Sequence, residues 1–191
     1  MSGGLFVLRR RISCPNARCT ARCGRGSVRF VAVNEPSGPP AQDHLLDILV
    51  GVWEGDGLGF YPTIESFGYR ETLEIRRHPK GFLVHQQRTS HADDGRPLHA
   101  EIGYWRSPSP GRFELVLAHP TGVTEVCEGS AEGTSIHLRS TDVGCSGSAR
   151  TVQSLERWYE IDGDTLTCRL SMGAVGVAHQ AHLEATLRRE A

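Results

Sequence analysis

Between Gly51 and Arg189 the chain breaks into ten short stretches of strand-like character, each closed by residues that tolerate hairpin dihedrals. The stretches are 51–58, 69–77, 81–89, 98–107, 112–119, 123–130, 134–140, 149–161, 164–172 and 180–189. The breaks include Pro79-Lys80-Gly81, Asp93-Asp94-Gly95, Ser109-Pro110-Gly111 and Asp162-Gly163-Asp164. No long helical stretch intervenes, so the pattern describes an antiparallel meander. Such a sheet removes its free edges by closing on itself. We therefore expect an all-β fold, a ten-stranded antiparallel up-and-down β-barrel. A barrel of about ten strands is too wide for its own side chains to fill, which predicts a ligand cavity. Alternation supports this locally: Leu115, Leu117 and His119 share one strand face, with Glu114, Val116 and Ala118 on the other.

Ahead of the strands, residues 31–42 form a Pro/Gly linker, and Asp43 can cap a short helical turn, His44–Leu49, suited to plug one end of a barrel. The organisation expected is an arginine-rich extension with its linker over 1–42 and a barrel over 43–191. Residues 1–30 hold seven arginines and no acidic residue, which leaves 14 basic against 22 acidic residues in the rest. A body of about −8 argues against a nucleic-acid groove, which needs clustered Lys/Arg on the folded surface. The leader is read as a disordered extension or the product of an upstream start codon, an organelle transit peptide being the other possibility. Cys14, Cys19 and Cys23 lack a paired histidine cluster and do not read as a zinc site. Cys127, Cys145 and Cys168 are scattered singly along predicted strands, as small buried hydrophobes would be, and a cytoplasmic location fits this usage. No apolar run approaches the ~20 residues of a membrane helix.

Gly51-Val52-Trp53-Glu54-Gly55-Asp56-Gly57 opens the first strand with three glycines that leave one face bare around Trp53. Lipocalin-like barrels often begin with such a Gly-x-Trp sealing the bottom, so packing is the first reading. Phe60-Tyr61-Pro62-Thr63-Ile64 reads as a non-helical turn, with roughly ten residues linking strands one and two. That is too short for the helical lid of fatty-acid-binding barrels. An open mouth suits a flat cofactor inserted edge-on. Of the nine histidines, His44, His78 and His91 fall in turns or helix. His85, His99, His119 and His137 fall mid-strand, where a hydrogen-bonded structural imidazole is the default. No His/Glu set shows the close spacing of a zinc hydrolase. His179 and His182 are spaced so that they occupy opposite faces of the last strand. One neutral imidazole suffices to hold haem iron, although spacing alone favours a structural role for His182.

Taken together, Gly51-x-Trp53-x-Gly55-x-Gly57, Tyr61-Pro62-Thr63-Ile64, Gln87-Arg88-Thr89, Pro97-Leu98-His99-x-Glu101-x-Gly103-Tyr104, Ala118-His119-Pro120-Thr121-Gly122-x-x-Glu125-Val126 and His182-Leu183-x-Ala185 resemble the nitrobindins, ten-stranded barrels that bind haem b. The resemblance covers residues 45–189. It implies one ferric haem b per chain, with His182 as proximal iron ligand and Thr63 against the haem. It also implies binding of nitric oxide and conversion of peroxynitrite to nitrate, hence a small-molecule substrate with no nucleic-acid or membrane partner, in a monomer or homodimer. Arg150 reads first as a surface arginine and second as a propionate partner. The family usually has Pro-Leu where this chain has Ala178-His179, and the arginine-rich leader has no counterpart in its compact members. Alternation poses a difficulty: it groups His182 with Glu184 and Thr186, opposite Leu183 and Leu187, so either the polar side of the strand faces the cavity mouth at His182 or the strand twists there. The rival expectation is a non-haem, lipocalin-like carrier of a small hydrophobic ligand; a barrel used only as an interaction module is a third.

Overall fold

The computed structural model describes residues 44–190. The expectations for residues 1–42, for the Asp43 cap and for Cys14, Cys19 and Cys23 lie outside the described residues. Helix α1 (His44–Leu49) is followed by β1 (Gly51–Tyr61), β2 (Ile64–Arg77), β3 (Leu83–His91), β4 (Pro97–Ser109), β5 (Arg112–Ala118), β6 (Val123–Glu132), β7 (Ser135–Cys145), β8 (Val152–Asp162), β9 (Thr165–Ala174) and β10 (Val177–Arg189). Each strand pairs antiparallel with the next, and β1 pairs with β10 to close the barrel. All ten predicted strands are present. The largest difference falls at β1 and β2, which extend to Tyr61 and from Ile64 and leave only Pro62-Thr63 as the turn. The ten-residue link of the sequence reading is thus mostly sheet. The conclusion drawn from it, no helical lid, stands more strongly.

Strand alternation puts one set of side chains inside. On β5, Phe113, Leu115 and Leu117 are buried, and on β10 Ala185 and Leu187 are buried. Helix α1 closes one end: Leu46 and Leu49 are buried, and the Trp53 indole donates to the Leu49 carbonyl at 2.9 Å. Arg189 stacks over Trp53 at 4.0 Å and donates to the carbonyls of Ile48 and Val50, satisfying groups at the helix end that have no partner within the helix. The β1 glycines do more than leave a face bare. A Cβ on Gly57 would sit 2.2 Å from the Tyr69 ring and one on Gly59 2.3 Å from the Phe67 ring. Both aromatic rings therefore occupy the space where β1 side chains would stand, and the glycines are what admits them. Of the cysteines, Cys127 is buried as expected. Cys145 is exposed, because β7 runs past the end of its pairing with β8; Cys168 is half-buried.

The wall is not uniform. β7 and β8 pair only from Ser135↔Glu160 to Arg139↔Glu156, although β7 continues to Cys145. Beyond Arg139 the two strands part, and residues 146–151 span the gap at the open end.

Candidate functional site

The barrel encloses a cavity of about 650 Å³, within the range of small-molecule and cofactor sites. Near the open end its lining includes Tyr61, Phe67, Leu98, Val123, Leu170 and Met172, with Thr63, Arg150 and Val175 among its exposed residues. His182 and Leu183, adjacent in sequence, both line it.

How two successive residues face inward is decided by a slip in register. β10 pairs Leu187↔Leu166 through Leu183↔Leu170 in step, then passes to Ala181↔Ser171, so His182 is an extra residue opposite none. The bulge flips the parity of the residues just before it, back to a second slip between Val177 and Gln180. Were β10 regular, His179 would share the inner face with Leu183 and Leu187, and His182 would face solvent with Glu184 and Thr186. Instead His182 is inside and His179 outside. His179 shares a hydrogen bond with Ser154 Oγ at 2.8 Å and lies 3.3 Å from the Glu156 carboxylate. The expected separation of the two histidines holds, and the twist at His182 is this bulge.

The His182 ring is held on two sides. Its Nδ1 donates to the Phe60 carbonyl at 3.0 Å, and Tyr61 meets it edge-on with centroids 5.2 Å apart. With the proton committed to Nδ1, the lone pair sits on Nε2. Burial pushes the imidazole below its ordinary pKa, only partly offset by the bond to Phe60, so the ring is a neutral donor at pH 7. Tyr61 is fixed in turn: its hydroxyl accepts from the Ala174 amide at 3.0 Å and lies 3.2 Å from the Ala174 carbonyl.

The deeper wall is charged, which the sequence reading did not anticipate. Arg157 on β8 grips Glu101 of β4 in a two-point contact at 3.0 and 2.8 Å, and Glu125 of β6 at 2.5 and 3.3 Å. Trp105 donates to His85 Nδ1 at 3.1 Å, so His85 Nε2 carries the proton that bonds Glu101 at 3.1 Å. Burial alone would raise both carboxyls. The Arg157 charge and the hydrogen bonds around them outweigh it, holding Glu101 well below the usual range and Glu125 at about 2. Glu71, buried without such a partner, is pushed up to about 7 by desolvation, with the Glu101 charge adding to it and a hydrogen bond from Gln87 opposing it. The mid-strand histidines are hydrogen-bonded as expected: His137 to Glu156 at 2.6 Å, and His99 to His119 at 3.0 Å, although His119 lies one residue past the end of β5. The signal missed was parity: Glu101 and Arg157 stand at inward positions of their strands, where an apolar residue is the norm.

The chain chemistry fits a porphyrin. The cavity has apolar walls at its mouth, a neutral imidazole with Nε2 unprotonated, no helix across the opening among the described residues, and Arg150 among the residues lining it. Comparison with known proteins agrees. Residues 44–189 match the family model described as "THAP4-like, heme-binding beta-barrel domain". The chain is 49% identical over 146 residues to Peroxynitrite isomerase 1 of Mycolicibacterium paratuberculosis, covering 74% of this chain and 91% of that protein. It is also 49% identical over 146 residues to Peroxynitrite isomerase of Nocardia farcinica, covering 74% and 87%. Among solved structures, Rv2717c from M. tuberculosis superposes with a TM-score of 0.71 at 42% identity, covering 77% of this chain and 98% of that one.

Proposed function

Because the chain belongs to the THAP4-like haem-binding β-barrel family, we propose that it holds haem through His182 at the open end of its barrel and isomerises peroxynitrite to nitrate there. The observation that carries the assignment to His182 is the bulge, which turns this one imidazole out of the strand's polar face and into the cavity with its lone pair on Nε2. When bound, the haem supplies a Lewis-acidic ferric iron that promotes O–O cleavage and recombination to nitrate.

The chain's own part is positional. Phe60 fixes the His182 tautomer, as the partner of a metal-binding histidine usually does. Tyr61 keeps the ring from rotating, and its own hydroxyl is locked by Ala174. Leu98, Val123 and Leu170 exclude water and offer iron no competing ligand. Thr63, in the two-residue β1–β2 turn, lies at the lip, where it would border the haem edge; Arg150 is a lining cation that could meet a propionate. Held through His182 alone among this chain's side chains, the group would also be able to take nitric oxide. One haem per chain and a cytoplasmic setting complete the reading. No helix among the described residues is long and apolar enough to cross a membrane.

Hemin titration tests this. The full chain should develop a Soret band that saturates at one equivalent and shifts on adding nitric oxide, and His182→Ala should abolish peroxynitrite isomerisation and alter the band. A Soret band indifferent to His182→Ala would refute the ligand assignment.

A further inference from the structure

We propose a second metal site in the cavity wall: His99, Glu101 and His119 form a three-ligand set for a divalent transition cation of the zinc class, with a fourth position facing the cavity. This set does not include His182, so the inference stands apart from haem ligation.

Four observations converge on it. His99 Nε2, His119 Nδ1 and Glu101 Oε2 form a triangle with edges of 3.0, 3.6 and 4.0 Å. Metal bonds of about 2.0–2.1 Å at tetrahedral angles require ligand atoms about 3.3 Å apart, so the three need only small adjustments to share one ion. Second, the ligands are already oriented by neighbours. His119 Nε2 bonds Glu125 Oε1 at 2.9 Å, the carboxylate–histidine arrangement that fixes metal-binding imidazoles. Glu101 is held by His85 through one oxygen and by Arg157 through both, which leaves Oε2 a lone pair for a cation. Third, the charge is unbalanced: Glu101 and Glu125 together face the single guanidinium of Arg157, so the cluster carries an excess negative charge inside the barrel. Fourth, all three ligands line the cavity, which gives the fourth position access to water.

The proton bookkeeping is simple. A hydrogen bond now joins His99 to His119, and a cation between them needs both of those nitrogens unprotonated. The proton moves to Nδ1 of His99, the more exposed ring, or leaves to solvent. Sequence spacing concealed the set because His119 comes from the β5–β6 turn, twenty residues from its partner across the β4–β5 pair.

Cobalt(II) and zinc(II) titrations of the full chain, purified without added hemin, test the site. We expect one equivalent of cobalt to bind with the visible absorption of a four-coordinate nitrogen/oxygen site, without a thiolate charge-transfer band, and to be displaced by zinc. His99→Ala, at the half-exposed edge of the cluster, and His119→Gln should each weaken binding by about 100-fold or more, since even residues behind the ligands contribute about 10–100-fold. His182→Ala and His179→Ala should leave the affinity unchanged. Absence of saturable cobalt binding overturns the proposal, as does binding that survives both cluster variants or is lost with His179→Ala. Hemin uptake is read separately in the Soret region, so failure of one reading is distinguishable from failure of the other.

Discussion

Glu71 shows what a single side chain does when the barrel buries it and Arg157 offsets that burial only weakly. Its carboxyl rises from 4.5 to about 7, chiefly through desolvation. The folded state then holds a proton that the unfolded state has already released. Stability from this group therefore falls as pH rises from about 4.5 to about 7, and the cost is fully present above that window. Glu71→Gln keeps the shape and removes the charge. In the haem-free chain it should gain about 3 kcal/mol in urea unfolding at pH 8 and almost nothing near pH 4.5. An equal gain at both pH values would show that charge is not the cause. Glu101 and Glu125 behave oppositely because Arg157 lies between them, so the same residue type on the same inner surface takes opposite shifts according to one neighbour.

At the scale of elements, the β9–β10 hairpin carries the site. Ala174 pairs with Val177 across a two-residue turn, and Val175 there has φ of 49°, a left-handed conformation that a β-branched residue adopts only at a cost. Val175 also lines the cavity mouth. Val175→Asn relieves the backbone and should stabilise the chain by about 1 kcal/mol, raising the thermal midpoint by about 2–4 °C. A calorimetric scan that shows no rise would mean the strain is absorbed elsewhere in the turn. The hairpin continues into the two register slips of β10, between Val177 and Gln180 and between Ala181 and Leu183, and the second of these sets which histidine faces in. β1 opposite is stripped to glycines where Phe67 and Tyr69 fold across it, so one flank is thinned to admit rings while the other is kinked to present one.

Across the whole molecule, a closed barrel keeps its edges paired but leaves its interior to be filled, and here part of that filling is ionic. Arg157 ties β8 to β4 and β6 through the cavity wall. Arg157→Met should cost about 3–5 kcal/mol in denaturant unfolding at pH 7, because two buried carboxylates lose their only shared cation. A loss within the range of an ordinary surface substitution would mean the cluster is solvated. The ten strands, their turns, the closure and the lack of a helical pair between β1 and β2 were legible in the chain, because hairpin residues and period-two alternation are local properties that need no partner to be read. The phrases around His182, Thr63 and Trp53 were enough to indicate the family. Alternation, by contrast, fixes a side chain's face only relative to its own strand neighbours. Read locally, it sent His182 outward; the bulge that turns it inward exists only through pairing with β9. The meeting of His99, Glu101 and His119 with Arg157 is likewise a product of register and closure, since these groups are as far as 58 residues apart in the chain and share one wall only once the sheet has curled.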